Sequence, residues 1–231
     1  MDRIATGIPG LDKLLGGGLP RNQLVLLTGT SGTGKTTLSC QYIYTGATQF
    51  NENAVYLSFE EPADTIKENM KLFGWDFARL EKAGKVVFIR YDPYKIEDAF
   101  NTLETAIREI GATRVIVDSV SALGLYIRDE ADLRKAIFDL SISLRRLNVT
   151  AILTSEIVQG GKAQNISRYG IEEFVTDSVL VLYYERAHSV FSRGLQVWKL
   201  RGSTHSTSIH PYKIGSSGFS VNPRDEAFIR H

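Results

Sequence analysis

The chain contains a glycine-rich stretch of the kind that binds phosphate groups. Residues 29–36 read Gly-Thr-Ser-Gly-Thr-Gly-Lys-Thr, which fits the pattern G-x-x-x-x-G-K-[ST]. In loops of this pattern the backbone N–H groups surround the phosphates, the lysine reaches the β- and γ-phosphates, and the final hydroxyl binds Mg²⁺. We therefore assign these two side-chain roles to Lys35 and Thr36. The stretch predicts a chain that binds a nucleoside triphosphate together with Mg²⁺.

The sequence on either side of this loop predicts the strand and the helix that the loop requires. The run 23–28 is short and apolar, which is typical of a buried strand. After the loop, Leu38, Tyr42 and Ile43 follow helical spacing, and the unpaired N–H groups at the start of a helix bind anions. A glycine-rich turn that fits the pattern by chance would not explain both flanks. The predicted nucleotide contacts in the loop are Thr30, Ser31, Gly32, Thr33, Gly34, Lys35, Thr36 and Thr37.

An aspartate further along the chain is the second candidate metal ligand. Asp118 ends the apolar run 113–118, and a carboxylate at the carboxyl end of such a strand completes the Mg²⁺ shell opposite the hydroxyl of Thr36. Alternatively, Asp118 caps the loop that follows through Ser119 and Ser121. The phosphate loop upstream favours the metal role.

Two adjacent glutamates supply a candidate catalytic base. Glu60 and Glu61 follow the apolar run 53–59, and a carboxylate there could orient and deprotonate the water that attacks the γ-phosphate. Alternatively, they are acidic residues at a helix N-terminus, where the helix dipole stabilises negative charge. We predict that Glu60 is the base, with Glu61 as the second candidate or an orienting partner.

Strands and helices alternate over the first two thirds of the chain. The predicted strands are 23–28, 53–59, 85–90, 113–118 and 149–154, and the predicted helices are 36–46, 64–73, 96–110 and 130–147. Continuous Val/Ile/Leu runs that alternate with helices predict an α/β fold with a mostly parallel sheet flanked by helices. After Asp177 three runs, 178–184, 194–200 and 208–214, follow without long helices between them, so we expect antiparallel strands added at the C-terminal side of the sheet.

Composition fits one intracellular domain. The 231 residues include 43% hydrophobic residues and carry a net charge of +1, which suits a single α/β domain over residues 1–231 and does not call for nucleic acid or a membrane surface. The only cysteine, Cys40, excludes a disulfide framework. The sequence has neither a signal-peptide pattern nor an apolar stretch that approaches 18 residues. We expect a cytoplasmic protein.

Further motifs outside the phosphate loop lie at residues 6–20, the Glu60-Glu61 pair, Phe73-Gly-Trp75, residues 167–177 and residues 198–205. They resemble the KaiC-like proteins, a bacterial and archaeal branch of the RecA-superfamily ATPases. The resemblance extends from about Ile4 to about Pro223. It implies a RecA-like P-loop core that hydrolyses ATP. It also implies a homo-oligomeric ring, expected to be a hexamer, with each nucleotide between two subunits.

The resemblance further implies that a neighbouring subunit supplies a basic segment to each nucleotide, here Lys199, Leu200, Arg201 and His205. Lys199 and Arg201 are two residues apart on a predicted strand, so both side chains should leave the same face and could stabilise γ-phosphate charge as an arginine finger does. Alternatively, they are basic residues that protect an edge strand. His205 could bind the nucleotide or cap the following turn.

Two departures from the family pattern narrow the expected function. The family includes a circadian-clock protein with two tandem domains, and this chain resembles one such domain. Glu173 and Phe174 stand where the second of those domains has adjacent Ser/Thr phosphoacceptors, so we expect ATP hydrolysis without autokinase activity. Gly215 and Ser216 stand where the family often has a Thr-Asp pair near the nucleotide. The expectation of adenine specificity therefore depends on resemblance alone.

Three functions are compatible with these features. The first is a regulatory ATPase that uses hydrolysis to change its contacts with a protein partner. The second is a DNA-linked recombinase or helicase-like motor, for which two loops, 159–168 and 185–193, carry basic and aromatic residues. The third is a nucleotide-binding scaffold with negligible turnover. We favour the first, because the basic and aromatic residues of these loops fall short of a strong DNA-binding footprint. The other two functions stay open, because fold alone does not fix function. The candidate DNA contacts are Lys162, Arg168, Arg186, Phe191 and Arg193.

Overall fold

The structure is a computed structural model that describes residues 2–91, 96–157, 166–187 and 190–227. The strands are β1 (Arg3–Ile4), β2 (Leu19–Pro20), β3 (Leu24–Gly29), β4 (Ala54–Ser58), β5 (Val86–Arg90), β6 (Arg114–Asp118), β7 (Thr150–Glu156), β8 (Ser178–Ala187), β9 (Val190–Leu200), β10 (Ile209–Gly215) and β11 (Gly218–Val221). The helices are α1 (Leu11–Leu14), α2 (Lys35–Gln49), α3 (Ala63–Lys71), α4 (Phe77–Lys82), α5 (Ile96–Ile110), α6 (Glu130–Arg146) and α7 (Glu172–Val175), with a 3₁₀ segment at Val120–Leu125. Within these ranges, no helix combines the length and apolar character needed to cross a membrane.

One mixed sheet organises the molecule, and its strand order is β11-β10-β9-β8-β3-β7-β6-β4-β5. The prediction of a mostly parallel sheet with antiparallel C-terminal strands is confirmed, with one correction. The run that forms β8 was expected to be antiparallel, yet β8 pairs in parallel with β3, and only β9, β10 and β11 alternate in direction. Two parallel strands require a long connection, and the one between β7 and β8 is long enough for β8 to begin at the amino-terminal ends of the parallel strands.

Both faces of the central strands are buried, which accounts for their continuous apolar sequence. On one face of β3, Val25 and Leu27 pack in a core that contains Leu38 and Tyr42 of α2. On the other face, Leu24 packs in a second core with side chains of α5 and α6. The sheet therefore holds α2, and with it the loop that precedes α2, against a rigid support.

A buried ion pair anchors the far end of α2. Arg114 is fully buried, donates to Glu52 Oε2 from Nε at 2.8 Å and lies over the ring of Tyr42 at 4.3 Å. Its side chain also occupies the space beside Gly46, where a Cβ atom would lie 2.4 Å from Arg114 Cδ. Glycine is therefore required at this point of α2, and the contact fixes the helix against β6.

Short elements account for most of what the sequence pattern missed. The helix α4 has six residues, begins after Asp76, whose carboxylate accepts from Arg79 N at 3.0 Å, and follows the Phe73-Gly-Trp75 motif. The strand β11 has four residues. Elements this short contain too few residues for a hydrophobic period to be recognised. The longer predicted helices and strands are present, with ends that shift by up to four residues.

Candidate nucleotide and metal site

The phosphate loop lies between the end of β3 and the start of α2, as its sequence predicts. Gly32 and Gly34 have φ angles of 80° and 92°, in the left-handed region that favours glycine. At Gly34 a Cβ atom would also lie 2.4 Å from Ile214 Cδ1. Lys35 Nζ donates to the carbonyl oxygens of Gly29 at 2.9 Å and Thr30 at 3.1 Å, so its side chain folds back over the loop.

Burial destabilises the charged form of Lys35. Burial lowers the pKa of its ammonium group, and the carboxylates of Glu156, Asp118 and Glu60 act in the opposite direction. A triphosphate in the loop would add negative charge beside the ammonium group and raise this pKa. Bound phosphate would therefore stabilise the charged form of Lys35.

A cavity of about 250 Å³ opens beside the loop. Its lining consists of Ser31, Gly32, Gly34, Lys35, Thr36, Glu60, Glu61, Asp118, Ser119 and Glu156. Small-molecule pockets typically enclose about 300–1,000 Å³, so this cavity can hold the phosphates while base and sugar extend beyond it. A larger cavity of about 750 Å³ lies between α5 and α6, but it includes no residue of the phosphate loop. The smaller cavity is the candidate site because the phosphate-binding chemistry lies there.

Asp118 faces the phosphate loop at the end of β6. Its Oδ2 atom accepts from Thr36 Oγ1 at 3.1 Å and from Tyr56 OH at 2.5 Å, and its Oδ1 atom accepts from Thr154 Oγ1 at 2.5 Å. The alternative capping role is not observed in the described chain, because Ser119 Oγ donates to Glu60 and Ser121 Oγ accepts from Glu156 N.

The donors at this position fit Mg²⁺. The hydroxyl of Thr36 and the carboxylate of Asp118 are hard oxygen ligands, which this cation prefers. Among the described residues, no group of three or more His, Cys, Asp or Glu side chains is arranged to hold a metal ion. The remaining ligands would therefore be phosphate oxygens and water, as is usual for Mg²⁺ at nucleotide sites.

The two glutamates have different surroundings. The Asp118–Ser119 peptide bond is cis, and Ser119 Oγ donates to Glu60 Oε1 at 2.5 Å. Glu61 instead accepts from Asn69 Nδ2 on α3 at 3.2 Å. Burial raises the pKa of the Glu61 carboxyl, the nearby Asp118 carboxylate adds to this effect, and the Asn69 hydrogen bond opposes it. Both residues precede α3 and line the cavity, so both stay in reach of a reacting phosphate.

The basic segment differs from its predicted geometry. The strand β9 ends at Leu200, so Arg201 lies in the turn beyond it, and the argument that two residues on one strand share a face does not apply. Lys199 Nζ donates to the carbonyl oxygens of Glu173 and Thr176, both at 2.7 Å. Arg201 Nη1 lies 3.7 Å from Asp177 Oδ1, and its side chain is 55% exposed. The strand β9 lies between β8 and β10, but β10 pairs only with residues 194–196 of β9, so the alternative that Lys199 and Arg201 protect a strand edge stays open.

The basic segment and the phosphate loop of one chain lie at opposite ends of the parallel strands. The loop follows the carboxyl end of β3, and the basic segment lies beside the amino end of β8. On β8, Ser178 pairs with both Leu200 and Val25, whereas Leu182 pairs with Gly29 at the start of the loop. Four residues along a strand correspond to about 13 Å. Lys199 and Arg201 therefore do not face the phosphate loop of their own chain.

The remaining two residues of the basic segment have local contacts. Leu200 is 5% exposed and packs in the core beside α2, so only its backbone could face a ligand. The Nδ1 atom of His205 lies 2.9 Å from the carbonyl oxygen of Ser206, a contact that fits the turn-capping alternative. A role for either residue at a nucleotide stays a prediction.

The site includes residues that the sequence pattern did not select. Glu156 ends β7, pairs in register with Gly29 and lines the cavity near Lys35. The rule that the carboxyl ends of parallel strands meet at one edge could have identified it. Tyr56 and Thr154 contact Asp118 from inside strands, where no polar pattern marks them.

The loops considered for DNA contact are described only in part. Lys162 lies outside the described residues, as do the side chains of Arg186 and Phe191. The guanidinium of Arg193 lies over the ring of Tyr184, 4.7 Å from its centroid, and the backbone N–H of Arg168 donates to Ser155 Oγ at 3.1 Å. These contacts give no specific support to a DNA-linked function.

Comparison with known proteins identifies the family. A family model for the KaiC ATPase matches residues 4–226. The chain belongs to the KaiC family of ATPases. This confirms the family predicted by resemblance and, with it, an ATP-binding P-loop protein of an ATPase family.

KaiC relatives of two lengths match the chain. The circadian clock protein KaiC3 of Synechocystis is 36% identical over 225 residues, which cover 93% of this chain but 44% of that protein. A UPF0273 protein of Methanocaldococcus jannaschii is 37% identical over 240 residues, covering 96% of this chain and 97% of that protein. The chain thus spans about half the length of the clock proteins and nearly all of the shorter relative.

A solved structure confirms the fold. The KaiC-like protein of Pyrococcus horikoshii superposes with a TM-score of 0.89 at 36% sequence identity, covering 96% of this chain and 99% of that one. The predicted α/β, RecA-like core with added antiparallel strands is therefore the fold of this chain.

Proposed function

We propose that this chain is a cytoplasmic, Mg²⁺-dependent ATPase that assembles as a homo-oligomeric ring, expected to be a hexamer, with ATP between adjacent subunits. Hydrolysis would change the contacts of the ring with a protein partner. The observation that carries the proposal is that the phosphate loop and the basic segment lie at opposite ends of the parallel strands.

This separation makes the site incomplete within one chain. The phosphate loop and the carboxylates line the cavity of about 250 Å³. The cations expected to balance the γ-phosphate, Lys199 and Arg201, lie at the opposite end of the strands. A second copy could place its basic segment against the open side of the first copy's cavity. Such a contact joins two different surfaces, and repeated contacts of this type close into a ring when the rotation allows it.

Charge at the basic segment supports the same arrangement. Two arginines contact the carboxylate of Asp177: Arg145 Nη1 lies 2.8 Å from Oδ2, and Arg201 Nη1 lies 3.7 Å from Oδ1. Burial is the main cause that lowers the pKa of Lys199, and the positive charge of Arg201 is the second. Arg201 and Arg145 repel the ammonium group of Lys199, whereas the carboxylates of Asp177 and Glu173 attract it. A phosphate from a neighbouring subunit would relieve this repulsion.

The proposed roles follow from these positions. The loop N–H groups and Lys35 bind the phosphates, and Thr36 and Asp118 would hold Mg²⁺, which neutralises charge on the β- and γ-phosphate oxygens when bound. Glu60 accepts a proton from the attacking water, with its carboxylate oriented by Ser119.

The contacts assigned to the neighbouring subunit complete the site. Arg201 and Lys199 of that subunit stabilise negative charge on the transferring phosphoryl group. Glu173 and Phe174 carry no hydroxyl, so we propose hydrolysis without autophosphorylation at these two positions.

Light scattering coupled to size-exclusion chromatography tests the assembly, with phosphate release measured on the same fractions. With Mg·ATP we expect a mass near six times 25.7 kDa and hydrolysis confined to the fractions of that mass. A control without nucleotide shows whether assembly requires ATP. A protein that stays monomeric and hydrolyses ATP would contradict the shared site, and an assembled protein without hydrolysis would contradict the ATPase assignment.

A further inference from the structure

The carboxylate of Asp118 is held by hydroxyl groups from both neighbouring strands. In the sheet, β6 lies between β4 and β7. From β4, Tyr56 OH donates to Oδ2 at 2.5 Å, and from β7, Thr154 Oγ1 donates to Oδ1 at 2.5 Å. Tyr56 and Thr154 are both fully buried. Each carboxylate oxygen therefore has one donor that comes from the interior of the sheet rather than from the nucleotide side.

The third hydroxyl at this carboxylate belongs to the phosphate loop. Thr36 Oγ1 donates to the same Oδ2 atom that accepts from Tyr56. A carboxylate oxygen can accept two hydrogen bonds. If Thr36 turns to a cation, one position on Oδ2 becomes available for the cation or its water, while Tyr56 and Thr154 can keep their bonds. The hydroxyls of Tyr56 and Thr154 thus hold the orientation of the Asp118 carboxylate and leave one acceptor site of Oδ2 for the cation.

We propose that Tyr56 and Thr154 are positioning residues that orient Asp118 for the divalent cation. The inference rests on the magnesium site of the proposed function. The ring of Tyr56 stacks on Phe88 with centroids 5.1 Å apart, a contact that phenylalanine could make equally well. What tyrosine adds in this strand is a hydroxyl directed at the metal-site carboxylate. Outer partners of this kind contribute about 10- to 100-fold to metal affinity.

The test measures binding of Mn²⁺ to the protein with a non-hydrolysable ATP analogue, followed by electron paramagnetic resonance. We expect Tyr56→Phe and Thr154→Val to weaken the Mn²⁺ affinity by about tenfold or more. Affinity for the analogue without metal should stay at the parent value. Thr154→Ser keeps a hydroxyl and should restore most of the Mn²⁺ affinity.

Tyr42→Phe is the matched control, because Tyr42 is also fully buried and its hydroxyl lies 3.4 Å from the carbonyl oxygen of Thr150 instead of at the carboxylate. Urea unfolding of each variant separates a loss of stability from a loss of metal affinity. If Tyr56→Phe and Thr154→Val bind Mn²⁺ as tightly as Tyr42→Phe does, the positioning role is overturned, whatever their stability.

Asp118→Asn distinguishes this outcome from failure of the metal site itself. A weakened Mn²⁺ affinity in Asp118→Asn with parent affinity in the hydroxyl variants would leave the proposed metal site intact and refute only the positioning role. Parent affinity in Asp118→Asn would refute the metal site, and the role of Tyr56 and Thr154 with it.

Discussion

Rings built only from Arg201→Ala subunits are expected to hydrolyse ATP about 10³-fold more slowly than the parent protein, the lower end of the effect of an arginine finger. The Arg201 side chain is 55% exposed and its Nη1 atom lies 3.7 Å from Asp177 Oδ1, so we expect its charge to be available to a phosphate from another subunit. Steady-state phosphate release measures the loss. Arg108→Ala is the matched control, since Arg108 is also exposed and pairs with Glu104 within α5.

Mixed rings test whether this arginine acts across a subunit boundary. Lys35→Ala subunits lack the phosphate-loop cation but keep Arg201, and Arg201→Ala subunits have the opposite defect. A mixture contains some interfaces with an intact loop facing an intact arginine, so it should recover hydrolysis that both pure variants lack. Full activity of Arg201→Ala at unchanged oligomeric size would remove Lys199 and Arg201 from the proposed catalytic residues.

Glu60→Gln is expected to lower turnover by about 10²-fold or more, the scale of losing a general base, while nucleotide binding stays at the parent value. Glutamine keeps the shape of the side chain and can still accept from Ser119, but its amide cannot take a proton from water. Phosphate release in a single turnover measures the chemical step, and an equilibrium titration measures binding.

Glu61→Gln is the matched control for Glu60→Gln. Its adjacent carboxylate lines the same cavity, so a general loss of negative charge there would affect both variants equally. If Glu61→Gln loses turnover and Glu60→Gln does not, the two roles are reversed. Because burial raises the pKa of Glu61, a base at that position would gain its proton, and lose activity, at a higher pH than an exposed glutamate.

The sequence predicts the central part of the fold well because each long element has a strong local pattern. The strand before the phosphate loop and the helix after it bury apolar residues at the expected spacing, and the structure contains both as β3 and α2. The direction of β8 could not be predicted in the same way. It depends on where the chain after β7 re-enters the sheet, which no local period records.

The candidate site is predictable to the extent that its residues end strands or belong to the loop. The sequence predicts that Lys35, Thr36 and Asp118 lie together, because the carboxyl ends of parallel strands meet at one edge. In the structure Thr36 contacts Asp118, and Lys35 lines the same cavity. Tyr56 and Thr154 could not be recognised, since each lies within an apolar run that reads as core. The prediction that Arg201 lies on the same strand as Lys199 was wrong, because β9 ends at Leu200.

The most direct test of the central claim is a titration of Lys35→Ala with a fluorescent ATP analogue in the presence of Mg²⁺. We expect a loss of affinity of at least about tenfold, since a charge-assisted hydrogen bond contributes about 1.5–3 kcal/mol. Lys71→Ala removes an exposed lysine that pairs with Glu68 on α3 and should bind the analogue as the parent protein does. Equal affinity of Lys35→Ala and the parent protein would contradict the assignment of this loop as the ATP site.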